Sequence, residues 1–293
     1  MSQSGFSTGL VRRRSIDVVD VRIQQARAKR SIRMPRQELE GKLADLQHDY
    51  AELRTEIFEA AQVYRRLCAP RHVRCGEFEI ASEIFAVRHL PGDFFTVEEK
   101  SDGVILALGD ICGKGLAAGM WTPHLVGLVG ARGAVTSKPE AIVSGVNRDV
   151  CLMKSFMPLS SLFLAKLDPV TGVVQYCSAG HPPALLLRAN GELEMLSEGG
   201  LLLGVLPAAP YVGGSFELGA GDVLMIYSDG ITESLNCAAE EFGQTRLEAH
   251  LRRAQTGPAD AVLFSVLGSV QDFAAACPLV DDMSLVIVRR HER

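Results

Sequence analysis

Residues 104–119 read VILALGDICGKGLAAG, and they constrain the fold more than any other stretch. The five apolar residues from Val104 to Leu108 suit a short strand buried on both faces. The run stops at Gly109-Asp110, and a Gly-Lys-Gly turn leads into Leu116-Ala117-Ala118, where a helical pattern begins. Such a chain delivers a carboxylate to the rim of a sheet. Three other acidic positions share this setting beside apolar runs: Gly92-Asp93, Ser228-Asp229-Gly230 and Asp281-Asp282. Magnesium and manganese take oxygen shells and keep several waters, so a few carboxylates on rigid strand ends suit them. Two such ions ~3.5–4 Å apart can activate a water and clamp an in-line phosphoryl displacement. Taken singly, each Asp has a structural explanation, Asp222 making a turn and Asp93 or Asp282 capping one. The four contexts together point to a metal site.

A chain of 293 residues holds one large domain plus an appendage. The net charge of −5 is uneven, because residues 1–36 carry nine Lys and Arg against two Asp. This basic arm reads as a solvated, flexible segment in preference to a nucleic-acid or membrane contact. No apolar run reaches the ~18 residues of a membrane span. Arg12-Arg13-Arg14 is followed by no apolar segment, which excludes a signal peptide there. Seven cysteines without a Cys-x-x-Cys pair argue for reduced thiols and a cytoplasmic location, against a zinc site or a disulfide framework.

Three segments are expected: a basic arm over 1–34, with a short helix within 16–32; a coiled-coil or linker helix over 35–67; and the globular domain over 68–293. Pro35 suits a helix start. Leu39, Leu43, Leu46, Tyr50, Leu53, Ile57, Ala60, Tyr64 and Leu67 then follow alternating steps of four and three, the seam of a coiled coil. Asp49 and Arg54 fall where they attract across a parallel dimer; Gly41 and the Tyr and Ala seam positions weaken the coil. The competing reading is an amphipathic helix on the chain's own domain. Beyond Pro70, strand-like runs at 76–87, 103–109, 160–168, 172–178, 183–188, 192–196, 215–218, 222–228 and 283–289 alternate with turns at Asp168-Pro169 and Asn190-Gly191. Helices are expected at 115–132, 138–153, 240–254 and 258–275. Hairpin-rich strands with helices in adjacent pairs predict an α+β fold: two stacked, mainly antiparallel sheets flanked by helices, an αββα sandwich, behind the N-terminal helix.

The ordered motifs GDFF (92–95), LGDICGKGLAAGM (108–120), SAGHPPALLL (178–187), LGVLP (203–207), GDVLMIYSDGITES (221–234), EFG (241–243) and DDMSLVIV (281–288) closely resemble the metal-dependent, protein phosphatase 2C-like phosphatases. Within them the chain is most similar to the bacterial SpoIIE and RsbU type that regulates sporulation and stress-response sigma factors. The resemblance covers about residues 68–293, and the heptad helix matches the linker often found before that domain. It implies two divalent cations, Mn²⁺ or Mg²⁺, held by Asp93, Asp110, the Ile111 carbonyl, Asp229 and Asp281. Asp110 would bridge the ions, Asp229 and Asp281 would complete the catalytic core, and Asp282 would support it from outside. Arg88 matches in spacing a phosphate-binding arginine of the eukaryotic branch, and its guanidinium fork suits phosphate; a plain surface arginine is the equal alternative. Pro91-Gly92-Asp93 and Thr96 replace a pattern that often carries a second glycine and a second Asp. Cys112 stands where the eukaryotic branch has a His, which leaves the leaving-group acid unassigned.

Other features read as structural. The glycine spacing at 109–115 is too short for a nucleotide-binding loop, and no Ser or Thr follows Lys114. His181 is expected to shape a turn, Trp121 and Met120 to lie on a packed helix face, and Cys112 to be a buried thiol. The resemblance implies hydrolysis of phosphoserine or phosphothreonine on a regulatory protein, an anti-sigma-factor antagonist of the STAS type. The coil implies a homodimer; no nucleic-acid partner is expected. Two alternatives stand beside this reading: a non-catalytic dimeric interaction protein on a phosphatase fold, and a metal-dependent hydrolase of small phosphate esters.

Overall fold

A computed structural model of the chain describes residues 35–67, 72–87, 90–153 and 158–291. The basic arm with its expected short helix, and Arg88, lie outside the described residues. The chain divides into two compact units, Met1–Glu56 and Ile57–Arg293. Helix α1 (Arg36–Leu67) begins in the first unit and ends in the second. Its first turn is anchored by the Pro35 carbonyl, which accepts from the Glu38 and Leu39 amides. Along the expected seam Leu39, Leu43, Leu46, Tyr50 and Leu53 are each more than half exposed. Near the helix end the pattern turns inward: Ala61 and Tyr64 are buried and cluster with Leu90.

The second unit is the expected α+β sandwich. Its strands are β1 (His72–Cys75), β2 (Phe78–Phe85), β3 (Phe94–Lys100), β4 (Gly103–Ile111), β5 (Ser160–Leu167), β6 (Val173–Ala179), β7 (Ala184–Leu187), β8 (Leu193–Leu196), β9 (Gly199–Gly200), β10 (Gly214–Glu217), β11 (Val223–Tyr227) and β12 (Met283–Arg290). One sheet runs β1-β2-β12-β11-β7-β8; the other runs β10-β6-β5-β4-β3, with β9 pairing β6. All pairs are antiparallel except β6 with β9. Helices α2 (Leu116–Gly133) and α3 (Pro139–Leu152) follow β4, the short α4 (Asp229–Thr232) follows β11, and α5 (Gly243–Ala254) and α6 (Ala259–Ala274) precede β12.

The side-chain period of two explains the apolar run that dominates the sequence. In β4, Val104, Leu106 and Leu108 join the core between the sheets, with Phe78, Phe163 and Ile226. Ile105 and Ala107 face the other way, into a core with Leu125 and Val129 of α2 and Ile142 and Val146 of α3. The other sheet does the same: Leu224 and Ile226 of β11 face inward, while Val223 and Met225 pack with Leu251 of α5 and Val262 and Val266 of α6. A central strand covered on both faces carries few polar positions until it leaves the layers. The first polar residue after each run therefore marks the rim. At Asn190-Gly191 the β7–β8 hairpin turns as expected, with Gly191 at φ 90°.

Three expectations need correction. Cys237 and Cys277 form a disulfide across 40 residues of sequence, whereas isolated cysteines read as reduced thiols. The pairing comes from tertiary contact between the segment after α4 and the one after α6, which spacing does not encode. Met120 is 75% exposed, so only Trp121 of that pair packs on the core. Cys112 is exposed, because it lies just past the end of β4, outside the layers. The cross-link carries a prediction: closing a loop of this length removes chain entropy worth about 3–4 kcal/mol from the unfolded state. Cys237→Ser, or reduction by a dithiol, is expected to lower the thermal midpoint by roughly 5–12 °C in calorimetry.

Candidate metal centre

The two sheets bring four strand ends to one place. Phe94 pairs with Gly109, which sets Asp93, just before β3, beside Asp110 near the end of β4. Tyr227 pairs with Leu285, so Asp229, at the start of α4, and Asp281-Asp282, just before β12, leave the other sheet together. Gly230 makes that second approach possible: a Cβ there would lie 2.0 Å from the Asp282 carbonyl oxygen. Gly92 makes a milder close approach beside β4. A point one Cβ away from it lies 3.3 Å from the Ile111 carbonyl oxygen and 3.4 Å from Asp110 Oδ1.

The electrostatics follow from crowding like charges in a half-buried place. Asp93 is only 2% exposed, and burial, then the Asp110 charge, push its carboxyl well above the usual range. Hydrogen bonds from Ser284 and Ser228 oppose this. Burial and the Asp229 charge push Asp110 up to about 6. Burial and the Asp281 charge raise Asp229 as well. Lys114 works against this crowding, its Nζ lying 2.6 Å from Asp281 Oδ2 and 3.3 Å from the Val280 carbonyl.

Asp282 takes the supporting place. Its Oδ1 accepts from the Val87 amide at 2.8 Å, and its Oδ2 accepts from the Gly92 amide at 2.9 Å. It thereby fixes the segment that delivers Asp93. Asp282→Ala removes the acceptor of both amides; water can replace it at the exposed Val87, and leaving the Gly92 donor unmet costs about 1–3 kcal/mol. The expected result is a lower thermal midpoint together with at least tenfold weaker divalent-ion binding, read by calorimetry and by ion titration.

Sequence reasoning missed three residues. The Ser284 hydroxyl donates to Asp93 Oδ2, and Ser228 Oγ accepts from the Ser284 amide at 3.0 Å. The Tyr64 hydroxyl donates to the Asp93 carbonyl at 2.6 Å. Ser228 and Ser284 were legible as polar residues in otherwise apolar strand runs, YSDG and MSLVIV. Tyr64 carried no such signal, since it reads as one more seam position. His181 is structural, as expected: it is buried, its Nδ1 lies 2.7 Å from Ser161 Oγ, and burial drives its pKa down to about 3. Asp222 is the turn-former expected, accepting from the Gly219 and Ala189 amides.

The donor set fits hard divalent cations. It is oxygen-only, rich in carboxylates that raise one another's pKa, and has the Ile111 carbonyl and Asp110 facing one cradle over Gly92. Among the described residues, no three His, Cys, Asp or Glu side chains close to the spacing of a finished cage. The strongest mutual influences run from Asp110 to Asp93, from Asp229 to Asp110 and from Asp281 to Asp229, with Asp282 acting more weakly on Asp93 and Asp110.

Two stacked sheets flanked by helices, with aspartates at the rim of their strands, define the PP2C-type phosphatase fold. The SiaA-PP2C domain of Pseudomonas aeruginosa superimposes with a TM-score of 0.72 at 15% identity, over 82% of this chain and 98% of that one. The catalytic domain of the serine threonine protein phosphatase PstP, in complex with 2 manganese ions, gives 0.52 at 18%, over 73% and 99%. Residues 100–291 match the family described as Stage II sporulation protein E (SpoIIE), and the chain belongs to that family. Its sequence is 24% identical over 246 residues to the phosphoserine phosphatase RsbU of Bacillus subtilis, covering 82% of this chain and 71% of RsbU. It spans 38% of the length of another curated relative. Among the described residues no helix is long and apolar enough to cross a membrane.

Proposed function

We propose that this SpoIIE-family chain is a metal-dependent serine/threonine protein phosphatase acting on a phosphorylated regulatory protein. The observation that carries this reading is the gathering of Asp93, Asp110, Asp229 and Asp281 at neighbouring strand ends, with Lys114 the one cation paired to them among the described residues. Asp93, Asp110, the Ile111 carbonyl, Asp229 and Asp281 would hold two divalent ions, manganese or magnesium, as the manganese of PstP supports. When bound, such ions supply an acidified water and a positive clamp for phosphate oxygens. The chain's own residues do the rest. Ser284 orients Asp93 through its hydroxyl, Asp282 holds the Val87 and Gly92 amides, and Gly230 lets Asp229 lie close to Asp281 and Asp282. Arg88 is the proposed phosphate contact.

The substrate proposed is an anti-sigma-factor antagonist of the STAS type, a reading supported by the likeness to RsbU. The exposed leucine seam of α1 supports a parallel homodimer of the full chain. The experiment compares phosphate release from a phosphoserine STAS protein with release from para-nitrophenyl phosphate, both with Mn²⁺. A kcat/KM at least 100-fold higher on the phosphoprotein is expected. Equal values would favour the small-ester hydrolase, and no turnover with ions bound would favour the interaction protein. Light scattering on the full chain reads the dimer.

A further inference from the structure

Lys114 is the cation of the 108–120 motif, and its charge reaches across the site. It sits between Gly113 and Gly115, at φ 123° and 78°, conformations that turn the chain sharply as it leaves β4. The turn carries the ammonium to the far side of the acidic cluster, where Asp281 Oδ2 accepts from it at 2.6 Å and the Val280 carbonyl at 3.3 Å. Its positive charge is also felt at Asp229 and at Glu233. The same pair lines a cavity of about 200 Å³ whose other walls include Gly230, Glu233 and Glu241. An acidic vestibule therefore opens onto a carboxylate already shared with a fixed cation.

We infer that Lys114 is a positioning residue that acts through Asp281 to weaken retention of the divalent ion held there, making this vestibule the route of ion exchange. This rests on the two-ion reading given above. An ammonium and a divalent ion that share one carboxylate repel each other, and each lowers the charge available to the other. Without the ammonium, Asp281 gives its full charge to the ion. With it, an ion held by Asp281 would be retained loosely, while an ion held by Asp93 would feel the same charge more weakly. Lysine suits this role because its compact ammonium is a point charge on a flexible stem.

The test is a Mn²⁺ titration of the full chain followed by paramagnetic resonance, with chelator-driven Mn²⁺ release followed by stopped flow. Lys114→Gln is expected to bind one class of Mn²⁺ about tenfold tighter than wild type and to release it correspondingly more slowly. Lys114→Arg, which keeps the charge, is expected to stay near wild type. Thermal midpoints establish that each variant is folded, and Lys114→Met carries the measurement should Lys114→Gln not fold. Unchanged or weaker Mn²⁺ binding in the neutral variants would overturn the inference while leaving the two-ion site intact. A rise in KM at unchanged Mn²⁺ affinity would overturn it too, making Lys114 a phosphate ligand. A wild-type chain that binds no Mn²⁺ would overturn both this and the proposed function.

Discussion

Asp110→Asn is expected to abolish turnover and yet yield a protein more stable than wild type when both are assayed in chelator. Asp110 lies between Asp93 on one side and Asp229 on the other, so its loss removes the bridge of the proposed site. A fall in kcat of at least about 10³-fold, or ~4 kcal/mol of lost transition-state stabilisation, is expected. Stability moves the other way because the carboxyl is pushed up to about 6 by burial and by Asp229. A carboxyl whose folded pKa lies above its unfolded value destabilises the fold once pH exceeds that unfolded value, and fully so above about 6. Removing it should therefore gain roughly 1–2 kcal/mol at pH 8, discounted for partial exposure, and nothing below about pH 4. Urea unfolding in chelator at the two pH values reads both numbers. A variant that is inactive and destabilised at pH 8 would mean that Asp110 holds the fold together instead of straining it.

The second large effect is expected at a residue that carries no chemistry. In Gly230→Ala the new Cβ would lie 2.0 Å from the Asp282 carbonyl and 3.4 Å from Asp281 Cβ. Backbone cannot yield as a flexible side chain can, so the 281–282 segment must move away from Asp229. The cost is about 1–3 kcal/mol of overpacking, and displacement of a positioned group by ~1 Å can cost about 100-fold in rate. Gly268→Ala is the control: a Cβ there meets open space on α6. It should gain up to ~1 kcal/mol from helix propensity and leave turnover unchanged. Unchanged activity in Gly230→Ala would show that Asp229 and Asp281 need not be held this closely.

These predictions depend on features that the chain displays with unequal clarity. The sandwich was legible because its central strands are buried on both faces: apolar runs such as 104–108 and 223–227 admit few other placements, and the first Asp after them falls at the rim. Asp282 was picked out as a supporting residue only through resemblance; its contacts, the Val87 and Gly92 amides, require the fold. Ser284 announced itself as a hydroxyl in an apolar strand, but only the pairing of the two sheets shows that it meets Asp93. The Cys237–Cys277 bridge and the exposure of Met120 were not legible. Both depend on which surfaces meet after the chain has folded, and residue type sets neither. The seam of α1 reads as a uniform heptad pattern, yet Tyr64 is buried beside Leu90 while Leu39 to Leu53 stay exposed. One period can serve two different surfaces in succession.

The role proposed for these aspartates is to hold the ions that drive phosphate-ester hydrolysis. It is tested most directly by measuring phosphate release from a phosphoserine protein with Mn²⁺, with Mg²⁺ and with chelator. Wild type and Asp229→Asn run side by side, and circular dichroism establishes that the variant is folded. The expected result is turnover that requires a divalent ion in wild type and is absent from a folded Asp229→Asn. Turnover that persists in chelator, or that survives in Asp229→Asn, would contradict the claim.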